Sequence, residues 1–271
     1  TTLRGVQQRF PALAGVPLPM PYPWLEGLDW VHERERTGEG FGRIYLRGEL
    51  REHGGFRGYY LWAWLYKVPL ATMALLFASL VVAWKRWREL SWRRDLAFLL
   101  LPPLLLAIHL NFFFRAQMGV RYSLLLFPPL YVFCGVLVTD RPRRPRRFRV
   151  AVAVAFAWLV VSALSWHPFY LSYFNEMAGD RTQTWRLLAD SNLDWGGSEW
   201  YIRRWLQAHP EATLEPRSPQ TGRVVVRANF LTGVLGDDRF AWLRPLRPAG
   251  TVAASYVVFD VRLQDLPTAR R

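Results

Sequence analysis

Hydrophobic and polar positions are unevenly spread along the chain. The two flanks, 1–60 and 167–271, mix them, whereas four stretches between are nearly free of charge: Leu61 to Trp84, Leu96 to Phe114, Tyr122 to Thr139 and Val150 to Trp166. A membrane-spanning helix needs roughly 17 to 25 such residues, since a rise of ~1.5 Å each must cover a hydrocarbon core of ~30 Å. All four stretches meet that length, and so many charge-poor segments within residues 61–166 are unusual for buried helices of a soluble protein. Tyr59, Tyr60, Trp62 and Trp64 gather at one end of the first stretch, and Trp166, Phe169, Tyr170, Tyr173 and Phe174 follow the fourth, as expected where aromatic rings sit at headgroup level. Pro69 and the pair Pro102 and Pro103 lie inside stretches. A membrane tolerates them where neighbours satisfy the freed backbone, so kinks or broken helices are expected there.

The flanks read differently. Residues 1–60 form a Pro- and Gly-punctuated extracytoplasmic loop segment without a span of its own. In the tail, Ser198 to His209 places Trp200, Ile202 and Leu206 near one face, with Ser198 as an N-cap and Pro210 as a stop, which predicts an amphipathic helix. Arg223 to Ala228 and Ala254 to Arg262 are β-branched and aromatic and predict strands, with the polar loop Pro210 to Gly222 separating helix from strand. The expected fold is mainly α: four spans over 61–166, then a small extracytoplasmic α/β domain over 167–271.

Charge orients this arrangement. The 271 residues carry 35 Lys and Arg against 21 Asp and Glu, and the excess is +1 in 1–60, +11 in 61–166 and +2 in 167–271. Most of it falls in two runs, Lys85 to Arg94 and Arg141 to Arg149, in the first and third connections between spans, whereas the second holds only Arg115 and Arg121. Because Lys and Arg are retained on the cytoplasmic side, both flanks are expected outside. The same runs account for the basic pI without nucleic acid as a partner. The single Cys134 makes no internal disulfide. An outward flank ahead of the first span needs a route across the membrane, which makes the chain read as the C-terminal part of a longer membrane protein.

Motifs for nucleotide, zinc and serine-hydrolase chemistry are missing, and His32, His53, His109, His167 and His209 are scattered without ligand spacing. No cofactor is indicated, and a divalent metal finds no ligand cluster. Two cations stand near the outer boundary: Lys67 inside the first span and Arg121 at the start of the third. Intramembrane cations cost about 2.5–3.5 kcal/mol at mid-bilayer, which makes both candidates for binding a lipid phosphate, although Lys67 is close enough to the boundary to snorkel to the headgroups. Glu49, Glu176, Asp190 and Asp194 lie on the outer side. Each could act as a general base toward a sugar acceptor or sit in a structural ion pair.

Several runs together resemble one family: PLPMPYPWLEGLDWV (Pro17 to Val31), YLRGELREHGGFRGYYLWAWLYKVPL (Tyr45 to Leu70), GVRYSLLLFPPLYVF (Gly119 to Phe133), SYFNE (Ser172 to Glu176), DSNLDWG (Asp190 to Gly196), RANFLTGVLGDDRFAWLRPLRP and ASYVVFDV. They are similar to the C-terminal half of bacterial polyprenyl-phosphate-dependent glycosyltransferases, of the protein O-mannosyltransferase and aminoarabinose transferase type. DSNLDWG is the most specific of them. The resemblance implies a polyprenyl-phosphate-linked sugar as donor, an acceptor at the outer face and inversion at the anomeric carbon. The family's catalytic acidic residue lies in an early external loop with no counterpart in this sequence, so the base is expected upstream. Lys67 and Arg121 match basic positions in the family's runs. Asp190, Asn192, Asp194 and Trp195 would either shape the acceptor side or fasten the tail to the membrane core. A rival reading is a non-catalytic accessory subunit or a transporter fragment, although no internal repeat supports a transporter.

Detergent is expected to release this chain from membranes while high salt leaves it in the pellet, which a fractionation and immunoblot would check.

Overall fold

The computed structural model describes residues 8–11, 20–37, 42–88, 90–138 and 145–267. Pro17 to Pro19, Thr139, Arg141, Arg143 and Arg144, to which the readings above extend, lie outside the described residues. The chain is predominantly helical, with two small sheets. Helix α1 (Tyr22–Thr37) is followed by a hairpin of β1 (Ile44–Leu46) and β2 (Glu49–Arg51), then α2 (Tyr59–Lys67), α3 (Leu70–Lys85) and α4 (Leu90–Phe112). Next come a 3₁₀ segment at Val120–Leu126, α5 (Phe127–Cys134) and α6 (Arg146–Leu164). The tail contains α7 (Glu199–Ala208), β3 (Ala212–Leu214), β4 (Gly222–Arg227), α8 (Ala228–Leu231), β5 (Gly250–Val252) and β6 (Tyr256–Val261).

Among the described residues three helical stretches are long and apolar enough to cross a membrane: Arg93–Phe112, Val120–Leu137 and Arg146–Leu164. Their outward surfaces are apolar too, with Phe98, Leu104, Leu105, Val154 and Val161 all exposed, as a lipid-facing surface requires. The first expected span departs from a straight helix: α2 and α3 meet at a bend of 110°. Pro69 supplies no N–H, and Val68 just before it is extended, the conformation that a following proline favours. By contrast, α4 is assigned as one continuous helix through Pro102 and Pro103.

The bend leaves carbonyls at the end of α2 without helical partners, and residues far along the chain supply the donors. The Asn175 amide donates to the carbonyls of Leu65 and Val68, each at 2.7 Å, and its backbone N–H donates to Tyr66 at 2.8 Å. A second tie joins the segment after α4 to the start of α2. Gln117 accepts from the Phe56 N–H at 2.7 Å and donates to the Phe56 carbonyl at 2.8 Å, while Asn111 accepts from Leu61 at 2.9 Å.

In the tail, α7, β4 and β6 appear close to their expected places. The polar connection before β4 holds an unexpected strand, β3, paired parallel to β4, and the sheet runs in the order β3–β4–β6–β5. Alternation along the strands divides its two faces. Val225, Tyr256 and Val258 pack with Ile202 of α7, whereas Val224, Val226, Val257 and Phe259 share a core with Tyr59, Tyr60 and Ala63 of α2, Ile44 to Leu46 of the hairpin and Trp185. Residues from both flanks and the first apolar stretch therefore form one core.

Asn175→Ala would leave two buried carbonyls unsatisfied. It is expected to lower stability by about 2–6 kcal/mol, at ~1–3 kcal/mol for each orphaned group, measurable by denaturant titration in micelles.

Candidate functional site

The DSNLDWG loop packs against the start of α2 and the 3₁₀ segment at Val120–Leu126, and most of its polar atoms act as fasteners. The Asn192 amide donates to the Tyr59 hydroxyl at 2.9 Å and to the Ala189 carbonyl at 3.1 Å, while its oxygen accepts from the Val120 N–H at 3.1 Å. Ser191 donates to the Met118 carbonyl. Gly119 has φ +99°, and a Cβ there would collide with the Ser191 hydroxyl, so glycine is what lets the two loops meet. Asn229 holds the loop from the tail side: its oxygen accepts from the Asp190 N–H at 2.8 Å, and its amide donates to the Asp190 and Asp194 carbonyls, each at 3.4 Å. The Asp194 carboxylate accepts from the Gly196 N–H at 3.1 Å and the Ser198 hydroxyl at 3.4 Å, shaping the entry to α7.

Lys67 belongs to this fastening. Only 9% exposed, its ammonium donates to the Asn192 carbonyl at 2.6 Å and the Leu171 carbonyl at 2.8 Å, with the Phe174 ring 4.5 Å away. A cation so enclosed joins the helix bend to two tail loops. The lipid-phosphate role expected for Lys67 finds no open face at this position, and the snorkelling alternative finds none either.

Arg121 is placed differently. It is half-buried, its guanidinium lies 4.1 Å from the Trp195 ring and 5.3 Å from Tyr122, and it makes no hydrogen bond or ion pair among the described residues. Trp195 is 64% exposed. The Asp190 carboxyl shares this neighbourhood. Burial pushes it above the usual carboxylate range, against the lowering effects of Ser191 and the Arg121 charge. Asp190 also has φ +58°, a left-handed conformation that Asp and Asn tolerate better than most residues. Beside the cluster the Tyr60 hydroxyl is buried with no hydrogen-bond partner among the described residues. Arg121, Asp190 and Trp195 are thus the members with side chains left for a ligand, while Asn192 and Asp194 are occupied in holding the tail.

The other two acidic candidates stand elsewhere. Glu49 pairs with Arg51 at 3.7 Å on the hairpin surface. Glu176 accepts from Trp158 at 2.9 Å and Ser162 at 3.1 Å on α6. Burial alone would raise its carboxyl, but hydrogen bonds from its own backbone, Trp158 and Ser162, with the Arg181 charge, outweigh that and hold it below the usual range. Among the described residues no three His, Cys, Asp or Glu side chains converge on a metal position. Tyr59, Tyr60 and Asn229 were not singled out from sequence. The Tyr pair carried only an aromatic-belt signal, and Asn229 lay unmarked within the RANFLTG run.

Below the cluster runs an apolar groove of about 860 Å³ between α3, α4 and α5, lined by Leu76, Leu80, Leu100, Leu104, Leu130 and Phe133 among others. Trp64 and Leu126 also line it, and the Trp64 indole donates to the Ser123 hydroxyl at 2.8 Å, two residues along the chain from Arg121. No family model, curated protein or solved structure matches the chain.

Asp190→Asn removes a carboxyl whose ionised form burial disfavours and suits the left-handed backbone. Because the folded-state pKa is raised, the native carboxylate costs stability once pH rises past the unfolded value of about 3.9. The variant is therefore expected to melt higher than the parent at pH 7, with the gap closing as pH falls below about 4, as paired thermal melts would show.

Proposed function

We propose that the chain is the C-terminal part of an integral-membrane glycosyltransferase that takes its sugar from a polyprenyl-phosphate donor. In this reading the bent pair α2–α3 enters the membrane as the first of four spans, both flanks face outward from a bacterial inner membrane, and the sheet module stands over the outer surface. The observation that carries it is the apolar groove between α3, α4 and α5, whose lining includes Leu126 from the same 3₁₀ segment that carries Arg121. A polyprenyl chain fits an apolar groove between helices, and its phosphate would reach a guanidinium that has no anionic partner within ion-pair distance among the described residues.

The chemistry follows from these positions. Displacement at the anomeric carbon makes a bond to the acceptor oxygen and breaks the bond to the phosphate oxygen, leaving polyprenyl phosphate with an added negative charge. Arg121 at ~4 Å from that charge would contribute roughly 4 kcal/mol at an effective dielectric of ~20, aimed where charge develops. The flat Trp195 ring steadies the guanidinium and offers a surface for a sugar. Asp190, less acidic than a free carboxyl, is set to hold a proton or a sugar hydroxyl beside the phosphate. The base that takes the acceptor's proton lies outside this cluster.

Binding of a polyprenyl phosphate and of the matching unphosphorylated polyprenol to the full chain in nanodiscs tests the reading. Arg121→Ala is expected to weaken the phosphate ligand at least about tenfold, a loss of ~1.4 kcal/mol, and to leave the alcohol unchanged. Leu100→Trp, which fills the groove, is expected to weaken both. Unchanged phosphate binding in Arg121→Ala, or equal affinity of the parent for alcohol and phosphate, would overturn it.

A further inference from the structure

A second cleft, of about 750 Å³, opens between the β1–β2 hairpin and the tail, away from the lipid groove. Four arginines line it, Arg43, Arg47, Arg186 and Arg244, against two carboxylates, Glu52 and Asp238. Each carboxylate is already paired: Glu52 with Arg43 at 2.6 Å, and Asp238 with Arg244. Arg47 and Arg186 have no carboxylate within ion-pair distance among the described residues, so the cleft keeps an excess of positive charge. Its size lies within the roughly 300–1,000 Å³ typical of small-molecule sites.

Two further features point to a ligand. The Trp185 indole N–H and the Arg186 Nε are buried donors without hydrogen-bond partners among the described residues, and both residues line the cleft. Buried donors are otherwise almost always paired. Arg47 also sits where a different residue would fold more easily. It opens the two-residue turn of the hairpin with φ +50°, followed by Gly48 at φ +88°, a turn geometry that favours Asn-Gly or Gly-Gly. Strain of this kind persists where the side chain has a use. The Arg47 guanidinium lies 4.1 Å from the Trp62 ring, at the mouth of the cleft.

We propose that this cleft binds an anionic saccharide, with Arg47 and Arg186 meeting its carboxylate or phosphate and the unpartnered Trp185 indole N–H meeting a sugar hydroxyl. The hairpin that lines the cleft is tied to the stretch of chain that leads to Asp190. The Arg47 N–H donates to the Leu187 carbonyl at 2.9 Å, Leu46 bridges Leu188, and Asp190 is two residues further on. Use of the cleft as the acceptor site rests on the transferase reading. Binding itself does not, and it is measured without any lipid donor, so the two fail separately.

The test is thermophoresis of the detergent-solubilised full chain with digalacturonate, glucose 6-phosphate and cellobiose. At least one anionic probe is expected to bind ten times or more tighter than neutral cellobiose, and the anion that does so identifies the recognised group. Arg47→Asn relieves the turn, so it is expected to preserve or raise the melting temperature while weakening that probe about tenfold. Glu52→Gln frees Arg43 and is expected to tighten binding several-fold. Cellobiose binding as well as both anions, no binding of either anion, or unchanged affinity in Arg47→Asn would overturn the proposal.

Discussion

The junction between the tail and the helices depends on how the break between α2 and α3 is satisfied. A helix that stops in an apolar setting exposes carbonyls that neither lipid nor aliphatic side chains can bond. Here Asn175 takes two of them, and the neighbouring Lys67 reaches out to two more carbonyls on separate tail loops. The bend is therefore joined to SYFNE and DSNLDWG, residues more than a hundred positions away. Polar groups that would be costly alone become a staple when each finds a partner, and the tail is drawn onto the helices as a result.

With that staple in place, the two motifs divide their tasks by atom. In DSNLDWG the amide of Asn192, the hydroxyl of Ser191 and the carboxylate of Asp194 face inward and are consumed in hydrogen bonds. Asp190 and Trp195 are left on the side of Arg121. A rigid inner half holding a chemically available outer half is what positioning a reacting group requires. The hairpin adds a second edge to the same platform through its bridge from Leu46 to Leu188. The apolar groove and the arginine-lined cleft have no lining residue in common.

Apolar runs, aromatic belts and the distribution of Lys and Arg were legible from residue order, because crossing a membrane depends on local composition over about 20 residues. Helix α7 and strands β4 and β6 were legible through 3.6- and 2-residue periodicity. The hairpin and β3 were not: at three residues each they carry too little pattern and owe their existence to pairing with other strands. Pro69 marked a break, but the 110° angle came from how Asn175 and the tail pack around it.

The sequence by itself determined which segments suit lipid, which suit water, and which residues could carry charge chemistry. Only the tertiary structure decided the fate of those charges. Lys67 and Arg121 look alike in sequence, each a cation beside an apolar stretch, yet one is enclosed by carbonyls and a ring while the other stacks at an open edge. That difference lies in partners brought from distant parts of the chain. Burial and hydrogen bonding, which set whether a charge is structural or available, are properties of those contacts and not of the residue's neighbours in sequence.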